Sequence, residues 1–405
     1  MKIKEAYCAY EPEQFKQAFG FKGSSLSGAW QTAVMLCSDT ECGVGLGIQS
    51  VLWSDSKVFA AYDEQTGNEA MYRVTRYAVG LIKGQDYDSP AQMIREIFPE
   101  CKAYAKQSAG MDVTDTFVLN ALVPVDMAAW QLWAREQDIR DFDRIFRGTD
   151  KVDRLVNIPL ITYHTSAEEV RRLAKEGTSI FKIKLGADPD GDGDRDKMLA
   201  WDQKRALELH QALRDIHTPD TESGRVVYYF DANGRYDTPE RLQKLVDFLV
   251  ENDIAKQTVL FEEPFAPENK LDVSGFPLCF AADESAHSLE DVKERIALGY
   301  RAITLKPIAK TLSVTINMAE YAAAAGVQCF CADLTVNPVM VEWNKAFASR
   351  LKPLKGMKAG VVESNGAQNY VNWEQMLTYL PEEGSIFSVP EHYAGLVRRQ
   401  NHVVK

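Results

Sequence analysis

From residue 157 onward, short runs of consecutive apolar residues alternate with longer stretches whose apolar positions recur every three or four residues. Runs of the first kind predict buried parallel strands, and stretches of the second kind predict helices packed on one face. The strand runs are 158–163, 180–185, 226–232, 258–262, 278–283, 302–306, 327–332 and 358–363. Punctuation supports the helices between them. Ser166 with Glu169 fits a capping box, and Gly177 is a stop. Thr238 followed by Pro239 reads as an N-cap and a first-turn proline, and Gly326 ends a helix over 313–325. Strands alternating with helices in this way predict an α/β chain with a (β/α)8-type barrel. An open doubly wound sheet gives the same alternation and is the alternative.

The first 150 residues have a different texture. An opening strand (2–8), a loop (19–25) and two β-rich runs (29–37 and 43–52, joined by a turn at 39–42) precede helical patterns at 70–82, 89–105 and 125–137. Strands first and helices after is an α+β pattern. The chain therefore divides into an α+β domain (1–150), a barrel (151–369) and a last segment (370–405) expected to return to the first domain.

Composition narrows the partners. The chain has 405 residues and a formal charge of −12, from 46 Lys plus Arg against 58 Asp plus Glu. Apolar content of 45% is ample for a core and excludes wholesale disorder. The acidic balance argues against nucleic acid, whose phosphates need clustered cations, and against anionic membrane surfaces. The apolar stretch 321–332 is too short to cross a bilayer, so no membrane span is expected. The first residues carry charges where a signal peptide needs an apolar run. Seven scattered cysteines, an odd number, point to reduced thiols and a cytoplasmic location. Cys329 and Cys331 share one strand face and read as core packing. The acidic loop 188–196 has Asp188, Asp190, Asp192 and Gly193 in phase with a calcium loop, but Leu199 replaces the bidentate glutamate, so it reads as a solvated loop.

In a parallel barrel, chemistry sits at the C-terminal ends of the strands. The second strand ends with Lys182 and Lys184, on one face by period two. The third ends with Asp231 and Asn233, the fourth with Glu262 and Glu263, the fifth with Asp283 and Glu284, and the sixth with Lys306. Carboxylates converging from three adjacent strands repel one another unless a cation sits among them. An all-oxygen donor set without His or Cys suits a hard divalent ion, Mg2+ first and Mn2+ as the alternative. Lysines on either side of the ion would flank the α-carbon of a chelated carboxylate substrate. One would remove the α-proton and the other return it, while the ion stabilises the enediolate.

This constellation resembles the enolase superfamily, and within it the mandelate racemase/muconate lactonising enzyme family. The resemblance covers nearly the whole chain. It implies a (β/α)7β TIM-like barrel capped by an α+β domain built from the N-terminal region and the C-terminal segment. It implies metal ligands at Asp231, Glu262 and Asp283 and acid/base lysines at Lys184 and Lys306. Lys182 would tune Lys184 or hold the substrate carboxylate, and Asn233 and Glu284 would be supporting neighbours. Oligomers are common in the family, so a homo-oligomer is expected. One departure is the absence of Gly-Gly after Lys306. The sequence continues Pro307-Ile308-Ala309-Lys310, similar to o-succinylbenzoate synthases, and Lys310 is expected to lie in the loop.

Paired lysines suit a racemase or epimerase. They also suit a cycloisomerase or a syn-dehydratase in which one lysine acts. The seventh strand ends with Asp333 and no His, where sugar-acid dehydratases of the superfamily carry one, and His287 reads as a satisfied loop residue. Asp333, Glu363 and Asn365 are candidate specificity residues, or helix caps in the case of the two acids. The loop at 19–25 is expected to close over the substrate, with Phe19 and Phe21 as an apolar wall and Lys22 as an anion contact. A barrel that keeps the metal but not the chemistry is the non-enzymatic alternative, and a metal-dependent hydrolase barrel is disfavoured by the lack of strand-end His.

Overall fold

A computed structural model describes the chain apart from residues 22–23, 149–150, 382–385 and 403–405; at 19–21 and 24 it describes the backbone only. The N-terminal part is an antiparallel sheet of β1 (Glu5–Phe21), β2 (Ser24–Cys37) and β3 (Cys42–Gln49), in that order. The opening strand is thus far longer than the run 2–8 suggests. The expected lid loop is instead the end of the β1–β2 hairpin, with Phe19 opposite Leu26 and Gly20 opposite Ser25. Aromatic residues on a pleated strand pair across it in preference to looping out. Lys22 lies outside the described residues, and of Phe19 and Phe21 only the strand placement is described.

Five helices follow: α1 (Val51–Ser54), α2 (Ser56–Ala61), α3 (Glu64–Ile82), α4 (Pro90–Ala109) and α5 (Asp115–Glu136). The last three extend beyond the apolar patterns expected at 70–82, 89–105 and 125–137. In α3 and α5 the caps, Asp63 and Thr114, lie well upstream of those patterns. α5 packs directly on the backbone of β3. A Cβ at Gly45 would lie 2.1 Å from the amide nitrogen of Ala128 and 2.2 Å from the carbonyl oxygen of Pro124. Gly43 and Gly47 meet α5 in the same way, at 2.3 and 2.6 Å. Successive side chains alternate faces, so Val44, Leu46 and Ile48 point the other way and are buried in the larger core. Against the expectation that no segment is apolar enough to span a membrane, α5 qualifies by length and composition. Its apolar window is 94% buried inside the fold.

Cys37 and Cys42 face each other across β2 and β3 and form a disulfide, contrary to the expectation of reduced thiols throughout. The turn between them sets the two Cα atoms 4.1 Å apart. Cys8, Cys101, Cys279, Cys329 and Cys331 are free, and Cys329 and Cys331 pack in the core as expected.

The second sheet is a parallel barrel. Its strands are β4 (Leu155–Ile158), β5 (Leu160–Ile161), β6 (Ile180–Lys184), β7 (Val227–Asp231), β8 (Thr258–Glu262), β9 (Phe280–Ala282), β10 (Ala302–Leu305), β11 (Gln328–Cys331) and β12 (Gly360–Glu363). They run around the ring in the order β4-β12-β11-β10-β9-β8-β7-β6-β5. β4 and β5 are one stave broken at Pro159, which has no N–H to give the ladder. Its carbonyl still accepts from the amide of Lys182 at 3.1 Å. The helices outside are α6 (Ala167–Lys175), α7 (Arg195–Leu213), α8 (Pro239–Glu251), α9 (Leu289–Ala297), a short α10 (Pro307–Lys310) leading into α11 (Leu312–Ala324), and α12 (Pro338–Ala348). Ser166 and Thr238 cap α6 and α8 as the sequence suggests, while the reciprocal capping box is at Ser288 and Asp291. No helix is described between β8 and β9. Pro264, Pro267, Gly275 and Pro277 break that stretch, and Phe265 and Val273 plug it into the core.

Period two sorts every stave. Outward residues such as Phe181, Ile183, Phe230, Phe261 and Leu305 join the core under the helices. Inward residues change character along the axis. Ile180, Val227, Leu260, Ala302 and Val361 form an apolar plug at the N-terminal end. Two or four residues further along the same faces come Lys182, Lys184, Asp231, Glu262, Thr304, Lys306 and Glu363. After the barrel come α13 (Gly366–Asn369), α14 (Trp373–Leu377) and α15 (Glu391–Asn401). α15 lies along β1, where Asn401 donates to the carbonyl of Cys8 at 2.8 Å and Gln400 to that of Tyr10 at 2.8 Å.

Candidate active site

The barrel brings the strand-end residues together under the first sheet. Lys184 and Asp231 are register partners on β6 and β7, and Asp231 and Glu262 on β7 and β8. Asp283 follows β9 by one residue, and Lys306 follows β10 as the residue leading into α10. Lys184 Nζ lies 2.5 Å from Asp231 Oδ2 and 2.6 Å from Asn233 Oδ1. Asn233 in turn donates to Glu284 Oε1 at 2.9 Å, and its amide donates to Asp231 Oδ1 at 3.0 Å. Lys182 Nζ sits among three acids, at 3.0 Å from Glu262, 3.2 Å from Asp231 and 3.4 Å from Glu363. Lys306 donates to Asp283 Oδ2, and Tyr229 and Thr304 both donate to Glu262 Oε2.

Burial disfavours the Lys182 ammonium, but Glu262 and Glu363 overcome this and hold its pKa well above the ordinary lysine value. Lys306 is raised in the same way, burial being outweighed by Asp283. Asp231 is lowered: Lys184 and Lys182 outweigh its desolvation. Seven buried carboxyls (Asp231, Glu262, Glu263, Asp283, Glu284, Asp333 and Glu363) share this end of the barrel with Lys182, Lys184, Lys306 and Lys310. Carboxyl groups therefore outnumber ammonium groups here. Burial and the neighbouring acid Glu284 push Glu263 up to about 8. Burial pushes Asp333 up to about 6, although backbone N–H groups oppose it.

Among the described residues no three His, Cys, Asp or Glu side chains form a ready ligand group, because lysine ammonium groups lie between the acids. The residues nonetheless fit a hard divalent ion. The donors are all carboxylate oxygens, carboxyls outnumber ammonium groups at the site, and the buried Asp283 Oδ1 accepts no hydrogen bond.

A cleft of about 690 Å³ lies between the two sheets. Its barrel side is Lys182, Lys184, Asp231, Asp283 and Lys306, and its other side is apolar, with Phe15, Leu26, Ile48, Leu52 and Trp53. Asn120 on α5 fixes that wall by accepting from the Ser50 amide at 3.0 Å and donating to the Ile48 carbonyl at 2.9 Å. Glu363, Asn365 and Asp333 also line the cleft. Asp333, however, is used up by backbone: its oxygens accept from the amides of Leu334 at 2.8 Å and Asn365 at 2.7 Å. It ties the loops after β11 and β12 together. Glu363 faces Lys182.

Three residues outside the candidate set belong to this region. Trp53 places its indole 4.3 Å from Lys306 Nζ. Lys310, expected in a loop, is wholly buried, and its Nζ donates to the carbonyls of Asp283 at 2.9 Å and Ala286 at 2.8 Å. Its i+4 spacing from Lys306 is the signal that could have found it, because one helical turn returns it to the same side. Asp202 on α7 braces the loop after β6, accepting from the Gly186 amide at 2.8 Å and the Tyr236 hydroxyl at 2.8 Å. Elsewhere the expectations hold more simply. His287 bonds Thr116 across the domains, and Lys197 pairs with Asp190 and Asp192 at 2.6 Å in the acidic loop.

Residues 165–354 match the enolase C-terminal domain-like family model. No curated protein matches the chain by sequence. In fold, the chain is similar to an N-succinyl Arg/Lys racemase from Bacillus cereus (15% identity, TM-score 0.67, covering 92% of this chain and 89% of that one). It is also similar to a dipeptide epimerase from Enterococcus faecalis complexed with Mg and L-Leu-L-Tyr (15%, 0.66, 92% of each). A mandelate racemase/muconate lactonizing protein from Herpetosiphon aurantiacus aligns equally broadly (18%, 0.65, 91% of each). The barrel of this chain is thus matched over residues 165–354 by the enolase C-terminal domain-like family model, and its whole architecture is similar in fold to these proteins.

Proposed function

We propose that this chain is an isomerase that takes the α-proton from a small carboxylate substrate through its enediolate and returns a proton at the same carbon, as a racemase or epimerase. The observation that carries this reading is the placement of Lys184 and Lys306 on either side of Asp231, Glu262 and Asp283 at one end of the barrel. Asp231, Glu262 and Asp283 would hold Mg2+, or Mn2+ in its place. The ion, when bound, supplies positive charge for the oxygens of the deprotonated carboxylate.

This chain's own residues do the rest. Lys184 and Lys306 each serve as base for one stereoisomer and as acid for the other. Asn233 holds Lys184 through its Oδ1, and Lys182 keeps Asp231, Glu262 and Glu363 together. The apolar wall of the cleft excludes water and favours a substrate with an apolar body. The chemistry named for the Bacillus cereus racemase and the Enterococcus faecalis epimerase agrees with this reading.

The test is incubation in D2O with Mg2+ and pools of carboxylates: dipeptides, N-acyl amino acids, sugar acids and cyclic acids. Uptake of a single deuteron without loss of water is expected, abolished by chelation and by the Lys184→Ala/Lys306→Ala double variant, with each single variant losing it for one stereoisomer. Loss of water would move the chain to the eliminating enzymes. No exchange, together with no bound metal, would overturn the catalytic reading.

A further inference from the structure

We infer that Lys310 is a positioning residue that fixes the orientation of Asp283 and sets a like charge beside the cation it would hold, an inference resting on the reading of Asp283 as a cation ligand. Lys306 and Lys310 are the two ends of one turn, closed by the Lys310 amide on the Lys306 carbonyl at 2.8 Å. Both ammonium groups therefore leave the turn on one side, and both reach Asp283. Lys306 takes Oδ2 and Lys310 lies 3.5 Å from Oδ1. The other Lys310 protons go to the carbonyls of Asp283 and Ala286, so one side chain grips the residue and the turn that carries it. Lys310 is 0% exposed and is not part of the cleft lining, so it cannot meet a substrate. It acts through Asp283. A lysine with its charge this deeply enclosed is costly unless its partners are fixed, and here two are backbone. Its position beside a candidate ligand has a definite consequence: positive charge there weakens the hold on a divalent ion.

The experiment titrates Mn2+ alone into the full chain, followed by its paramagnetic resonance signal, for wild type, Lys310→Met and Lys310→Gln. Gln keeps a donor for the carbonyls while dropping the charge. Lys310→Gln is expected to bind Mn2+ about tenfold more tightly, since a like charge is removed from a low-dielectric site while a donor to the carbonyls is kept, and Lys310→Met, which loses both, is expected to gain less. Lys310→Met is also expected to speed amide hydrogen exchange over residues 283–288, and Lys310→Gln to speed it less. A residue that merely fills space would leave Mn2+ affinity unchanged in both variants, and that result, or weaker binding by Lys310→Gln, overturns the inference. Failure of both variants to fold makes Lys310 a packing residue and overturns it as well. A wild-type chain that binds no Mn2+ overturns instead the reading of the carboxylates on which it rests.

Discussion

The indole of Trp53, carried by the helix that follows β3, lies over the ammonium of Lys306, which the barrel carries, with 4.3 Å between Nζ and the ring centre. The contact joins the two sheets at one candidate acid/base group and leaves the other untouched. A cation over an indole contributes about 0.5–2 kcal/mol. Trp53→Leu is therefore expected to slow proton exchange by about 3- to 30-fold for the stereoisomer handled by Lys306, and much less for its mirror partner. Trp53→Phe should recover part of the loss. Deuterium uptake measured separately from each stereoisomer checks this, and equal losses on both would exclude it.

The lysines themselves should divide by face more sharply. Lys184→Ala and Lys306→Ala are each expected to lose about 10²- to 10⁴-fold in full racemisation, the range for a positioned acid or base. Each should keep measurable exchange of the one stereoisomer whose proton the remaining lysine removes. Complete loss of exchange from both stereoisomers in either variant would argue against two independent faces.

Asp202 gives a prediction about pH. Burial holds its carboxyl up at about 7, although the Gly186 amide and the Tyr236 hydroxyl pull the other way. Unfolded, an aspartate titrates near 4. The folded chain thus binds this proton more tightly than the unfolded chain. The stability it contributes is complete below about pH 4 and is lost as pH rises through about 7. Asp202→Asn cannot ionise. Relative to that variant, wild type should lose on the order of 2 kcal/mol between pH 5 and pH 8. Urea unfolding of both at the two pH values measures it, and parallel curves would contradict it.

Two glycines in the N-terminal domain should answer differently to the same methyl group. Gly45→Ala forces a Cβ against the backbone of α5, at 2.1 and 2.2 Å from main-chain atoms that cannot step aside. A loss of about 3 kcal/mol or more is expected, at the upper end for overpacking. Gly67, inside α3, would place its Cβ in ordinary contact with Val51 at 3.4 Å. Gly67→Ala should gain up to about 1 kcal/mol from helix propensity. Thermal unfolding of the two variants distinguishes them.

The barrel and the five strand ends were legible because both rest on period two. Apolar runs mark the staves, and the same alternation puts Lys182 with Lys184 and carries Asp231, Glu262 and Asp283 inward. What escaped was set by contacts between residues far apart. Nothing local shows that β1 runs on to Phe21, because its later residues are held by pairing with β2. The Cys37–Cys42 bond was hidden by counting cysteines where the facing positions of a hairpin decide. Lys310 was misplaced because the proline after Lys306 reads as a loop, whereas it starts a turn. The prolines and glycine between β8 and β9 did announce a missing helix, and could have been read.

The three glycines along β3 also say where this protein is free to change. Positions 43, 45 and 47 must stay bare as long as α5 rests on them, so one face of β3 is fixed by the helix while its other face, ending at Ile48, meets the core and the cleft. Ile48 and the residues just beyond it, Leu52 and Trp53, line the cleft and not the glycine seam. New substrates can be reached by drift on one face while the other face keeps the fold, which is how one architecture comes to serve many neighbouring reactions.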